Sequence, residues 1–249
     1  MKNLLLLLIT AHLISDFLLQ SNSLINMKTN MKIKGFIIHG IIVFITTALL
    51  SFYYDYYLVI KYAAIIAIMH FMIDIIKQWI CNKNIGPYFE LNVFLIDQTL
   101  HIFSIYFLWN YIFSSDIVRP VFNLQFNLLS ESNKIITINP TKLLYIVIFY
   151  IMVMFAGAVF LDKILNITAY DFHQKSNNIG RYIGIIERGL ILTLVTFGSL
   201  SSLAFVLTAK SLARFNKLSD KNFAEYYLFG TLNSMFIALI SGIILRSIL

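Results

Sequence analysis

Four short motifs decide how this chain is interpreted: HLISD (12–16), FIIHGII (36–42), HFMID (70–74) and DQTLH (97–101). Each lies inside an apolar run, yet together they hold four of the five histidines and three aspartates. In three of them a histidine and an aspartate are four residues apart, which places both on one face of a helix. Each such pair offers two ligands to one metal ion, as two histidines at this spacing do in helical zinc motifs. The motifs therefore predict a metal site between transmembrane helices.

The composition identifies the class of protein. Hydrophobic residues make up 59% of the 249 residues and charged residues only 12%, whereas soluble domains carry about 25% charged residues. The net charge of +7 would favour nucleic acid as the partner of a soluble domain. Here the lysines and arginines cluster at the ends of apolar runs, which is the membrane pattern, so no nucleic acid is expected. The single cysteine, Cys81, excludes an intramolecular disulfide and a cysteine-rich zinc site.

Apolar runs predict an all-α, polytopic bundle of about seven transmembrane helices. The predicted spans are residues 3–20, 35–52, 57–80, 92–114, 143–165, 185–208 and 228–248. The first run resembles a signal peptide, but a histidine and an aspartate interrupt it and no small-residue cleavage site follows, so we interpret it as a span.

The longest connection divides the chain into two predicted membrane modules. Residues 1–114 form a four-helix module that carries the His/Asp motifs, and residues 143–249 form a second module. The connection, residues 115–142, contains charged residues and two prolines and is predicted to be an extramembrane loop with a short hairpin in KIITINP (134–140).

The seven polar residues of the motifs share a predicted depth in the bilayer. Successive spans run in opposite directions, so residues at one depth lie late in one span and early in the next. The motifs of the first and third spans lie late and those of the second and fourth lie early, so all seven converge on one side: His12, Asp16, His39, His70, Asp74, Asp97 and His101. Lysines of this half concentrate on that side, which the positive-inside rule assigns to the cytoplasm.

Three aspartates within spans require partners, because each costs ~2.5 to 3.5 kcal/mol near the centre of a spanning helix. One explanation is a buried polar network in which each aspartate pairs with a histidine or with Lys77 and only fixes helix packing. Three His/Asp pairs at one depth favour metal binding instead. Seven ligands exceed the four of a tetrahedral zinc site, so the prediction is two or three divalent ions, zinc above all.

The predicted chemistry is attack on a phosphoester by metal-activated water, which needs no separate nucleophile. Asp16 and Asp97 are both candidates for the general base, and the sequence does not choose between them. Lys77 follows Asp74 by three residues and His70 by seven, on the same helical face. It is interpreted either as a cation that holds a substrate phosphate or as a lysine that reaches the membrane interface.

The second module contributes two basic features. Arg181 and Arg188 are seven residues apart, so they share one helical face and form a candidate site for an anionic headgroup; the alternative is a buried ion pair with interfacial anchoring. The segment AKSLARFNKLSDKNFAEYY (209–227) predicts one interfacial amphipathic helix with a stripe of cations that meets lipid phosphates: Lys210, Arg214, Lys217 and Lys221. Alternation of seven spans would place this stripe outside, unless the sixth span, which contains Gly198, is re-entrant.

Several blocks resemble a known family. HLISDFLLQ (12–20), His39 with Gly40, HFMIDIIK (70–77) and LIDQTLH (95–101) resemble the bacterial integral-membrane family called domain of unknown function 3307. The resemblance extends to blocks of its longer members: GRYIGIIERGL (180–190), AKSLARF (209–215) and EYYLFGTLNS (225–234). The His/Asp pairs are more distantly similar to YdjM-like membrane-bound metal-dependent hydrolases. That similarity implies a hydrolase whose metal ligands are the seven residues of the motifs.

The sequence therefore predicts a multi-pass hydrolase of the bacterial inner membrane, with its metal site towards the cytoplasm. Its predicted partners are membrane lipids and the phosphoester of a lipid-linked or other anionic substrate. A metal-ion or proton transporter is the alternative, because ion pathways also use intramembrane histidine and aspartate. Against it, the ligands share one depth, whereas a pathway should be staggered across the bilayer. A membrane partner protein with a structural metal is the third interpretation.

Overall fold

The computed structural model describes residues 2–83, 86–113, 126–129, 135–168 and 178–249. The chain forms two compact units, Met1–Ile148 and Phe149–Leu249. The helices are α1 (Lys2–Leu13), α2 (Asn22–Thr29), α3 (Ile33–Ser51), α4 (Tyr56–Cys81), α5 (Pro87–Phe113), α6 (Pro140–Ile151), α7 (Gly157–Thr168), α8 (Asn178–Thr196), α9 (Ser201–Ala213) and α10 (Lys221–Ile248). A π-helix, Ile14–Leu18, continues α1, and another, Met152–Ala156, joins α6 to α7.

In the first unit, α1, α3, α4 and α5 pack around a common apolar core. The buried residues that form it are Leu4, Leu8, Val43, Tyr54, Val59, Ile66, Ile105 and Leu108. The carboxylate of Asp55 starts α4 by accepting hydrogen bonds from the main-chain N–H groups of Tyr57 and Leu58. Pro87 starts α5, at a position where the missing N–H costs no helical hydrogen bond.

The outward face of α3 shows why these helices belong in a membrane. Apolar residues one turn apart are 46–64% exposed: Ile37, Ile41, Ile45 and Leu49. The opposite face, with Phe36, His39 and Val43, is buried. A continuous apolar face that no protein element covers is stable in lipid and unfavourable in water.

The chain is therefore a multi-pass, all-α membrane protein, as predicted, and its described residues account for five or six of the approximately seven predicted spans. Five helical segments among the described residues are long and apolar enough to cross a membrane, and there are six if the bent pair Lys2–Leu18 and Asn22–Thr29 counts as one. The sixth predicted span, residues 185–208, is divided between α8 and α9. Gly198 lies at the break with a φ of +78°, a conformation that only glycine adopts without strain.

The second unit is built on the packing of α8 against α10. A Cβ atom added to Gly242 of α10 would lie 2.7 Å from the Cβ of Val195 on α8, so the two helices approach closely because this residue is glycine. The predicted interfacial helix over residues 209–227 is not continuous. Helix α9 ends at Ala213, a 3-10 turn follows at Phe215–Lys217, and Asp220 caps the start of α10. Of the four cations of the predicted stripe, Lys210 lies in α9, Arg214 in the turn after it, Lys217 in the 3-10 turn and Lys221 in α10.

The long connection contains a two-stranded antiparallel hairpin. Strand β1 (Phe126–Leu129) pairs with β2 (Ile135–Ile138), and Phe126 lies opposite Ile138. The second strand coincides with the predicted hairpin motif. The remaining predicted loop, between residue 114 and β1, lies outside the described residues.

Candidate metal centre

Four helical segments of the first unit bring all seven residues of the motifs into one cluster. The segments are α1 with its π-helix, α3, α4 and α5. Six of the residues are almost inaccessible, with 1–3% exposure: His12, His39, His70, Asp74, Asp97 and His101. Asp16 completes the cluster with a side chain that is 9% exposed. The convergence that was predicted from span direction alone is thus present in the fold.

The π-helix at Ile14–Leu18 determines where Asp16 points. Its Oδ1 atom lies 3.8 Å from Nδ1 of His12, the residue one turn earlier. The same oxygen is closer, at 3.3 Å, to Nε2 of both His39 and His70 on the neighbouring helices. A π-turn is rare and recurs at functional sites, because its extra residue redirects a side chain. Asp16 therefore faces the centre of the cluster rather than its own helix.

The histidine rings lie within contact distance of one another. The Nε2 atoms of His39 and His70 are 2.9 Å apart, and the ring centroids of His70 and His101 are 3.9 Å apart in a stacked arrangement. The ring of His12 lies 5.1 Å from that of His101, centroid to centroid. Four imidazoles from four helical segments thus share one small volume.

The donor atoms fit a metal site. Three groups of residues place one ligand atom each within 4.8 Å of the others: His12, His70 and His101; Asp16, His39 and His70; and Asp74, Asp97 and His101. The three groups use all seven residues, and His70 and His101 each belong to two of them. Because each imidazole nitrogen binds a single ion, the three groups are alternative or neighbouring positions for ions within one small cluster.

Several of these buried atoms make no hydrogen bond to any residue that the structure describes. Both ring nitrogens of His12, Nδ1 of His39, Nε2 of His101 and Oδ1 of Asp97 make no hydrogen bond with the described residues. The last two atoms are 3.4 Å apart but lack hydrogen-bond geometry. Leaving buried polar atoms unpaired costs about 1–3 kcal/mol each. Imidazole nitrogen and carboxylate oxygen are ligands that zinc prefers, so this donor set fits the predicted ion.

Two lysines compensate the carboxylates at the edge of the cluster. The ammonium of Lys28, on α2, donates to Oδ2 of Asp74 at 2.5 Å, and that of Lys77 donates to Oδ2 of Asp97 at 2.7 Å. The amide of Gln98 donates to Oδ2 of Asp97 at 3.1 Å. Lys77 was a predicted site residue. Lys28 was not a predicted site residue, because the positive-inside rule already accounts for a lysine before α3 as part of the cytoplasmic surface.

The arginines of the second unit have different surroundings. Arg188 is 3% exposed, and its guanidinium donates to the main-chain oxygens of Val153 and Met154 at 2.9 and 2.8 Å. These oxygens belong to the second π-helix, whose geometry leaves carbonyl groups without their usual helical partners. Arg181 is exposed, with Nε 4.0 Å from a carboxylate oxygen of Asp162. The structure thus gives Arg188 a packing role, and headgroup binding by this pair stays a prediction.

The cations of the predicted stripe also differ in their partners and their exposure. Lys210 donates to Oε2 of Glu187, a carboxylate that is buried in α8, so this lysine has a protein partner. Lys217 and Lys221 are exposed. Lipid binding by the stripe stays a prediction for the exposed members. The fifth histidine, His173, lies outside the described residues.

Comparison with known proteins gives one finding. The family model described as "Protein of unknown function (DUF3307)" matches residues 4–129. The match includes all seven residues of the cluster and both lysines, and it ends before the second unit. No curated protein and no solved structure matches the chain. The similarity to YdjM-like hydrolases therefore stays a prediction.

Proposed function

The chain belongs to the DUF3307 family, and from the cluster that the matched region carries we propose that it is an integral membrane, metal-dependent hydrolase. Its substrate is a phosphoester of a lipid-linked or other anionic molecule. The observation that supports the proposal is a set of buried imidazole and carboxylate atoms that make no hydrogen bond to any described residue and belong to three overlapping groups of possible ligands. A structural polar network would pair these atoms with one another.

The residues of the cluster have two proposed roles, metal binding and assistance of the reaction. When bound, two zinc ions would supply Lewis acidity and an activated water molecule for attack at phosphorus. The four histidines and Asp74 would hold the ions. Of the two candidates for the general base, Asp16 has the more accessible side chain, at 9% exposure against 1% for Asp97. We therefore assign proton transfer to Asp16, and to Asp97 the task of holding Lys77 at the edge of the cluster.

We expect this protein to release phosphate or a headgroup from at least one lipid when it holds zinc. Purified protein would be incubated in mixed micelles with a panel of phospholipids and isoprenoid phosphates, and the released product measured. Chelator-treated protein is the control and should be inactive. Zinc or proton flux in proteoliposomes well above that of empty vesicles, with no product from any lipid, would instead identify a transporter.

We also propose that the cluster faces the cytoplasm of a bacterial inner membrane, because lysines concentrate at its end of the helices. In a chain with Cys81→Ala, Ser132→Cys in the long connection should react with a membrane-impermeant maleimide in intact cells. Asn30→Cys, at the exposed end of α2, should react only after the membrane is opened. Reaction of position 30 in intact cells would place the cluster at the outer face.

A further inference from the structure

We propose that Lys28 and Lys77 together form a binding site for a terminal phosphate group, which makes an amphiphilic phosphate monoester the substrate class. The inference rests on the proposed function for its metal ions and goes beyond it in assigning Lys28 and the charge of the substrate. Its basis is the placement of two ammonium groups on carboxylates of the cluster from two separate helices.

Lys28 points inward, against the usual behaviour of a lysine near a membrane surface. Lysines at helix ends ordinarily extend towards water. On α2, however, only Leu24 and Lys28 are buried, and most of the other residues are exposed. The lysine is 7% exposed, and its ammonium reaches Oδ2 of Asp74. Gln20, in the amide orientation that satisfies both neighbours, accepts from the same ammonium at 2.7 Å.

The corner between α2 and α3 holds Lys28 in this position. The chain bends by 86° between the first π-helix and α2. A Cβ atom added to Gly35 would lie 2.7 Å from Cβ of Met27 and 3.1 Å from the main-chain nitrogen of Lys28. Helix α2 can therefore approach α3 this closely only because residue 35 is glycine. The close contact of Gly35 with Met27 and Lys28 thus places the cation of Lys28 beside the cluster.

Lys77 provides the second cation and lies at the open edge. Its side chain is 29% exposed, whereas that of Asp97, its partner, is 1% exposed. Asp97 directs Oδ2 to Lys77 and Oδ1 towards His101. Asp74 likewise gives Oδ2 to Lys28 and has Oδ1 3.9 Å from His101. Both carboxylates therefore stand between a lysine and the histidines.

The summed charge of the carboxylates, lysines and metal ions indicates which phosphate ester the site would bind. Three carboxylates and two lysines leave the cluster with one net negative charge while the histidines are neutral. Two divalent ions would turn this into three positive charges within a nearly water-free site, which is unfavourable without anions. A phosphate monoester carries up to two negative charges and three terminal oxygens, enough to meet both metals and lysines. A diester carries one charge and is the poorer match.

The test measures phosphate binding and zinc content separately. Zinc-loaded full-length protein in detergent would be dialysed at pH 8 against labelled inorganic phosphate, with zinc determined in the same samples. We expect Lys28→Met and Lys77→Met each to weaken phosphate binding by about 10- to 100-fold. Zinc content should not change. Lys28→Arg retains the positive charge and should bind phosphate more tightly than Lys28→Met does.

The matched control is Lys32→Met, which removes an exposed lysine four residues from Lys28 and should bind phosphate as the parent does. Butyl phosphate should displace the label at least about tenfold better than dibutyl phosphate, in line with its second charge. Unchanged phosphate binding in Lys28→Met, or loss of zinc together with phosphate, would overturn the inference and make the lysine a counter-ion only. Phosphate binding that depends on both lysines in a parent without zinc would contradict the hydrolase and still support the lysine site.

Discussion

Substitution of His70 by alanine is expected to remove bound metal and to destabilise the protein. His70 belongs to two of the three ligand groups, and its Nε2 lies 2.9 Å from that of His39 and 3.3 Å from Oδ1 of Asp16. An ion present at 100 times its dissociation constant adds about 2.7 kcal/mol to the free energy of unfolding. We expect about two zinc ions per parent chain and fewer than one in the variant. Metal analysis after purification without chelator, followed by thermal unfolding with and without added zinc, measures both effects.

The control for His70→Ala is Thr46→Val on α3. Thr46 is a buried polar residue whose hydroxyl bonds only to carbonyl groups of its own helix, so its loss should leave the metal in place. Chelator treatment should lower the unfolding temperature of the parent to that of His70→Ala and leave the variant unchanged. A parent that retains no zinc, or a His70→Ala protein as stable as the parent, would support the alternative of a polar network that only fixes helix packing.

Loss of Asp74 should abolish turnover. We expect Asp74→Ala to lower kcat by at least about 1,000-fold, because a lost ligand removes both metal occupancy and the positioning of the attacking water. Asp74→Asn is the informative second variant: its amide oxygen still accepts from Lys28, while the charge is lost. Steady-state hydrolysis of the best substrate from the lipid panel gives the measurement, with zinc content determined in parallel.

Asp55→Asn is the matched control, since it removes the same charge at the other end of the same helix. Asp55 caps α4 through two main-chain N–H groups, a role that asparagine also fills. Turnover in this variant should stay within about twofold of the parent. Full activity in both Asp74 variants would exclude the cluster from the chemistry and contradict the proposed roles of its ligands.

The clustering of the seven residues could be predicted from the spacing within each helix and from the alternating direction of the spans. Residues four apart lie on one face of a helix, which places His70 beside Asp74 and Asp97 beside His101. Successive spans run in opposite directions, which brings these pairs to one depth. The inward turn of Lys28 could not be predicted, because it depends on an 86° bend and on a contact at Gly35, neither of which leaves a periodic signal. The redirection of Asp16 was missed for a related reason, since a spacing of four assumes α-helix and this residue lies in a π-turn.

The sixth predicted span differs from the structure because hydropathy averages over a break in the chain. Residues 185–208 are mostly apolar, yet Gly198, with its positive φ, lies between the end of α8 at Thr196 and the start of α9 at Ser201. The stripe from Lys210 to Lys221 was wrongly predicted to lie on one helix, for a different reason. Spacings of four, seven and eleven align cations only on a continuous helix, and this one ends at Ala213.

The order of charges along the chain bears on how the protein enters its membrane. Lys28 precedes its partner Asp74 by 46 residues, and Lys77 precedes Asp97 by 20. Synthesis delivers the N-terminal residues first, so each lysine arrives before the aspartate that it neutralises. A lysine at a helix end can extend its ammonium into interfacial water, whereas the carboxylate of an aspartate inside a span has no water to solvate it. The counter-charges of the aspartates in α4 and α5 are thus already synthesised when those aspartates are added to the chain.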